Sequence, residues 1–145
     1  MGGLTAWQAL FVHGRLARGE RVLVTGTSGG VGHIAVQLAR HAGAEVVESG
    51  PVDLVFDTRG GEVPAGERVV TIVEEVPGAT YFVVEPDHEQ LLELGALVDA
   101  GELRPEVDSV FPAHGGPGGV RAGCRPREAG QGRARGWQWL AAGRP

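Results

Sequence analysis

Arg21-Val22-Leu23-Val24-Thr25-Gly26-Thr27-Ser28-Gly29-Gly30-Val31-Gly32, continuing as His33-Ile34-Ala35-Val36-Gln37-Leu38-Ala39-Arg40, is the stretch whose reading decides the fold. Residues 21–25 form a short, largely apolar run that Gly26 breaks, as expected of a parallel strand covered on both faces. Val31, Ile34, Ala35, Leu38, Ala39 and Ala42 then recur at helical spacing, and Gly43 supplies the stop. Between the two lies Gly26-x-x-Gly29-Gly30-x-Gly32. Glycine is needed there because a Cβ would obstruct the tight turn or hold the backbone away from a phosphate. Thr27 and Ser28 add hydroxyl donors. Strand, glycine turn and helix in succession place backbone N–H groups and a positive helix end where a pyrophosphate can sit. Gly26, Thr27, Ser28, Gly29, Gly30, Val31 and Gly32 are therefore candidate dinucleotide-binding residues; a flexible connector is the competing reading.

Outward from the turn the elements alternate. Leu4, Leu10, Phe11 and Leu16 predict a helix over 4–17, with Gly14 blurring its far end. Downstream, Glu45–Glu48 reads as a short strand, Gly50-Pro51 as a break, and Val52–Asp57 as the next strand. Gly60–Gly66 is a loop and Arg68–Val73 another apolar strand. Pro77-Gly78 turns the chain into Thr80–Val84. Asp87 can N-cap a helix, with Gln90 at its third position, that runs to Gly101. Val107–Phe111 is a last short extended piece. The acidic residue expected about 20 positions past the turn would bind the ribose 2′-hydroxyl of NAD. Glu48 comes slightly early and Asp53 falls in the next strand, so this rule leaves the cofactor open.

Composition sets the remaining bounds. A chain of 145 residues, 42% of them apolar, has room for one domain with a modest core. The net charge of −5 hides an asymmetry: residues 1–112 carry seven Arg against seventeen Asp and Glu, whereas 113–145 carry six Arg against one Glu. The Arg-rich segment could suggest nucleic-acid contact. Its arginines, however, lie among nine Gly and three Pro without a periodic face, so no nucleic-acid partner is expected. We divide the chain into a dinucleotide-binding domain over 1–112 and an irregular Gly/Pro/Arg-rich tail over 113–145, read as disordered. The single cysteine, Cys124, excludes an internal disulfide and a four-cysteine zinc lobe. His13, His33 and His41 fall near helix surfaces without metal-spaced partners, so no zinc is expected. With no run of about 18 apolar residues and no leader-like start, a soluble, cytoplasmic protein without a membrane partner is expected.

The chain resembles the coenzyme-binding half of zinc-independent medium-chain dehydrogenases/reductases, the quinone oxidoreductase-like group. The matching segments are Gly3–Leu10, Val24–Ala39, Asp53–Thr58 with Gly60-Gly61, Arg68–Ile72, Tyr81–Asp87, Leu97–Pro105 and Val110–Pro112, in the family's order. The resemblance implies an α/β fold, a doubly wound, mainly parallel Rossmann-like sheet. It also implies NADP(H) as cofactor, with NAD left open, and hydride transfer between nicotinamide and a quinone, enone or carbonyl. Gly29, Gly30 and Val31 would hold the pyrophosphate, Thr58 and Ile72-Val73 would line the cleft, and Phe82 and Val83 would flank the nicotinamide. Ile72, Val73 and Phe82 sit in apolar strands and are read equally well as core. Family members commonly dimerise through the strand matching residues 81–84, which implies a homodimer through that edge.

Three departures shape the expectation. The chain opens at the coenzyme domain, so no residue is a candidate catalytic group. The family's substrate domain would be a separately encoded partner, or the chain a truncated, inactive product serving as a weak nucleotide-binding or assembly module. Only Ser49-Gly50-Pro51 separates Glu48 from Val52, too few residues to return between two full-length parallel strands flanking the first. Either 45–57 then folds as an antiparallel hairpin about Gly50-Pro51, or one strand gives up its place; the adenosine-ribose pocket would be lost with the missing segment. Thr58–Glu67 replaces a crossover helix, which leaves one sheet face without its helix and favours association. The tail does not match at all. Residues 116–121, written in suitable codons and read one base later, give Ala-Arg-Glu-Ala-Phe, the family's continuation, so the tail is read as frameshifted.

Overall fold

The computed structural model describes residues 1–107, and Met1–Pro105 form one compact unit. The boundary expected at 112, the extended piece beyond Val107, and the 113–145 tail with its frameshift reading lie outside the described residues. Helix α1 (Gly2–Trp7) continues into a π-helical segment, Gln8–His13. Then follow β1 (Arg21–Val24), α2 (Gly30–His41), β2 (Glu45–Val47), β3 (Leu54–Asp57), β4 (Arg68–Thr71), β5 (Thr80–Tyr81) and α3 (His88–Asp99). The five strands form one sheet in the order β2-β1-β3-β4-β5, with every neighbouring pair parallel. This is a Rossmann-like α/β arrangement.

Local chemistry accounts for the helix ends. Asp87 Oδ1 accepts the Gln90 amide at 2.9 Å, capping α3 as its spacing predicts. Past α2, Gly43 takes φ +79°; its amide reaches Arg40 O at 3.0 Å and that of Ala44 reaches Ala39 O at 3.0 Å, closing the last turn. Gly14 ends the π-helical segment, with its amide on Ala9 O at 2.8 Å. A Cβ on Gly14 would lie 2.7 Å from Leu54 Cδ2, so this glycine lets the segment approach β3 closely.

The strands alternate between two unequal faces. Val22, Val24, Leu54, Phe56 and Val70 point to one side and join Leu4, Leu10, Ala35, Leu38 and Ala39 of the helices in the main core. Leu23 and Val55 point to the other side, where Val52 completes a small buried cluster edged by Val47, Val63 and Val69. Among the described residues no helix covers this second face; the connections on either side of β3 do.

That arrangement corrects the expected hairpin. β2 and β3 both stay parallel to β1 and flank it, Leu23 facing Val47 on one side and Val55 on the other. Neither strand is displaced. Instead both shorten, β2 ending at Val47 and β3 starting at Leu54, which frees residues 48–53 for the return. Seven Cα steps reach roughly 23 Å, enough for two strand spacings of about 4.8 Å each and the climb back. Val52, expected in the strand, leaves it to bury against Leu23 and Val55. Loop residues thus occupy part of the second face, in place of a crossover helix. The strand expected over Thr80–Val84 also contracts, to Thr80–Tyr81. β4 ends at Thr71, whose carbonyl takes the Phe82 amide at 3.4 Å, and beyond that β5 has nothing to pair with among the described residues.

Candidate functional site

The glycines of the turn divide into two kinds. Gly26 takes φ +66°, and its carbonyl accepts the Gly29 amide at 2.9 Å, which closes the turn. A Cβ on Gly26 would collide with Thr58 Oγ1, and one on Gly32 with the Gly26 carbonyl, so these two glycines permit internal contacts. A Cβ on Gly30 would meet open space, and one on Gly29 only the Gly26 carbonyl at 3.2 Å. Thr27, Ser28, Gly29 and Gly30 are exposed, Val31 is half-buried and Gly32 is buried. Gly29 is the N-cap and has no side chain to cap with. Gly29 and Gly30 are therefore exposed at the positive end of α2, with open space where a Gly30 side chain would stand. This arrangement suits the pyrophosphate of a dinucleotide.

Below the turn lies a buried carboxylate. Asp57 is 1% exposed. Its Oδ1 accepts the Thr25 hydroxyl at 2.6 Å and the amides of Arg59 at 3.2 Å and Gly60 at 3.1 Å; its Oδ2 accepts the Thr71 hydroxyl at 3.0 Å. Burial pushes the Asp57 pKa up. The bonds from Thr25, Gly60, Arg59 and Thr71 outweigh it, and the carboxyl is held below its ordinary value. Thr58 ties the same corner from the other side: its amide donates to Thr25 Oγ1 at 3.0 Å and its hydroxyl to Thr25 O at 2.6 Å.

A cleft of about 470 Å³ opens beside the turn. Its walls are Thr25, Gly26 and Thr27; Val36 and Arg40 of α2; Val46, Val47 and Glu48; and Asp57, Arg59, Gly60 and Glu62. The cleft lies where the adenosine side of the site was expected to be lost. Of the two acidic candidates, Glu48 follows β2 directly and lines this cleft. Asp53 instead accepts the Arg21 amide at 2.7 Å and lines a separate cavity of about 440 Å³.

The remaining predicted residues fall into two groups. Thr58 and Val73 stand near the turn: the Val73 amide donates to Thr71 Oγ1 at 3.2 Å, and its side chain packs beside Gly60. Ile72 is half-buried against the main core. Phe82 is buried and stacks on His13 at 4.3 Å between ring centroids, while Val83 is 70% exposed. None of Thr58, Ile72, Val73, Phe82 and Val83 lines this cleft. The residue that sequence reasoning passed over is Asp57. A signal existed, because three apolar runs close on polar residues in the same phase: Val24-Thr25, Phe56-Asp57 and Val70-Thr71. Among the described residues no group of three or more His, Cys, Asp or Glu could hold a metal, and no helix is long and apolar enough to cross a membrane.

No family model matches the chain. It is 35% identical over 120 residues to the chloroplast envelope quinone oxidoreductase homolog of Arabidopsis thaliana, covering 68% of this chain and 36% of that protein. Those 120 aligned positions use only 68% of a 145-residue chain, so the alignment carries gaps on this side. Polyketide synthase GfsB of Streptomyces halstedii is 62% identical over 42 residues, 29% of this chain and 1% of the synthase. Among solved structures, the quinone oxidoreductase from Coxiella burnetii superposes with a TM-score of 0.65 at 25% identity, over 77% of this chain and 50% of the other. The chain thus spans half or less of the length of each of these three.

Proposed function

Starting from the homology of this chain to quinone and enoyl reductases of the medium-chain dehydrogenase/reductase superfamily, we propose that it is the NADP(H)-binding portion of such a reductase. The observation that carries the reading is the exposed Gly29-Gly30 surface at the N-terminus of α2, with a cleft running from it toward Glu48. Gly29, Gly30 and Val31 would hold the pyrophosphate, with the Gly29 amide already bonded to Gly26 O. Arg40 and Arg59 line the same cleft, and among the described residues neither is paired with a carboxylate. They favour the 2′-phosphate of NADP, whereas Glu48 and Glu62, which line the same cleft, would favour the bare 2′-hydroxyl of NAD. When bound, the dinucleotide would exchange a hydride with a quinone, enone or carbonyl. The protein's share is binding and orientation. Groups that contact the substrate would come from the half of such a reductase that these residues do not match, and the β5 edge would serve a homodimer.

NADPH fluorescence titration tests this. Saturation below about 100 μM supports a working site, and no saturation at millimolar concentration overturns it. A parallel NADH titration decides between the arginines and the cleft carboxylates. A quinone or enone reductase assay, with the remaining domain added in trans, tests the chemistry.

A further inference from the structure

Thr25, Asp57 and Thr71 stand side by side across three neighbouring strands. Asp57 faces Thr71 in the β3–β4 register, and Thr25 follows Val24, which faces Phe56. The row lies on the loop-covered face, at the ends from which the chain leaves each strand toward the proposed site. Resting on the dinucleotide-binding reading, we propose that Asp57 is the positioning residue of that site: through Thr25, Thr58 and Thr71 it holds the loops leaving β1, β3 and β4 in one frame.

The strands do not need Asp57 to stay together, because their parallel ladders already join them. What its bonds add lies beyond the ladders. Directly, they fix the Arg59 and Gly60 amides of the loop after β3. Through Thr25, whose Oγ1 accepts from the Thr58 amide, they reach the turn at Gly26. Through Thr71, whose Oγ1 accepts from the Val73 amide, they reach the loop after β4.

Direction matters as well as contact. An ionised carboxylate only accepts, so each threonine must spend its single proton on Asp57 and offer its lone pairs to the loop amides. The Thr58 hydroxyl then donates to Thr25 O, and the close approach of Thr58 Oγ1 to Gly26 is what forbids a Cβ there. A neutral amide at position 57 offers one oxygen and two donors, which cannot satisfy this pattern.

The experiment compares the full chain with Asp57→Asn, Thr25→Val, Thr25→Ser and Thr71→Val. It uses equilibrium NADPH titration and amide hydrogen exchange of the ligand-free proteins. Asp57→Asn and Thr25→Val are expected to weaken binding about tenfold or more, the cost of a broken charge-assisted bond. Thr25→Ser, which keeps the hydroxyl, is expected to recover most of that loss. Exchange should quicken at Thr58, Gly60 and Val73 while the Phe56 amide in β3 stays protected. Wild-type affinity in Thr25→Val, or acceleration spread equally through the strands, would show Asp57 to be only a structural pin. If the wild-type chain binds no NADPH, the dinucleotide reading falls; the exchange pattern alone then decides whether Asp57 frames the loops.

Discussion

The two faces of the sheet are built by different means. One is packed by α1 with its π-helical extension and by α2, which bury Leu10, Leu38, Phe56 and Val70 to 1% exposure or less. The other is closed by two loop segments that contribute Val52 and Val63, over a buried apolar cluster of only Leu23, Val52 and Val55. That second face also carries the Thr25–Asp57–Thr71 row. The first face supplies the burial that holds the fold. The second spends its limited area on hydrogen bonds that set loop geometry, and those bonds matter to the site. Among the described residues, no buried side-chain polar atom on either face lacks a hydrogen-bond partner.

The comparison can be broken or sharpened by substitution. Phe56→Ala on the helix-covered face is expected to cost about 3–5 kcal/mol in denaturant unfolding, since rigid helices cannot collapse into the void. Asp57→Asn should cost about 2–3 kcal/mol by leaving buried donors mismatched, and should also change the acid limb. Because the folded pKa of Asp57 lies below its unfolded value, its contribution is fully present above that unfolded value, about 3.9 for an aspartate. It is lost as pH falls through the lower folded value, so the wild type should lose more stability on acidification than Asp57→Asn. Val52→Ala on the loop-covered face should cost only about 1–2 kcal/mol, because residues 48–53 can settle. A loss equal to that of Phe56→Ala would refute the distinction between the faces. The smallest effect is expected at Glu20, which lies 2.6 Å from Arg68. The Arg68 guanidinium and the Ala17 amide hold its carboxyl below the usual value, yet both side chains are partly exposed. Glu20→Gln should therefore cost about 1 kcal/mol at most, less in high salt.

What was legible in the sequence was local. The turn at Gly26–Gly32, helix α2 with its Gly43 stop, and helix α3 with its Asp87 cap are each specified by residues within a few positions. Gly50-Pro51 misled because a Gly-Pro break between two strands has the same local appearance whether the chain folds back or crosses over. The choice rests on how many residues each strand surrenders, and Val52 surrenders its place for burial on Leu23 and Val55. The Asp57 row was hidden for a related reason. Its three members are 32 and 14 residues apart along the chain, and only the strand register brings them side by side. Phe82 shows the limit from the other direction. An apolar residue at an edge strand is compatible with core or cofactor contact until its neighbour is known, and here that neighbour is His13.

The six-residue return between β2 and β3 carries one more consequence. The connection from β1 to β2 travels one way along the sheet with its helix on one face. The return from β2 to β3 travels the opposite way and passes over the opposite face, where Val52 lies. Reversing both direction and side preserves handedness, so the two crossovers wind in the same sense, although one contains no helix. Chirality of this kind is usually attributed to a right-handed helix packing back onto a twisted sheet. In this chain the same hand is kept by residues 48–53, a crossover without a helix.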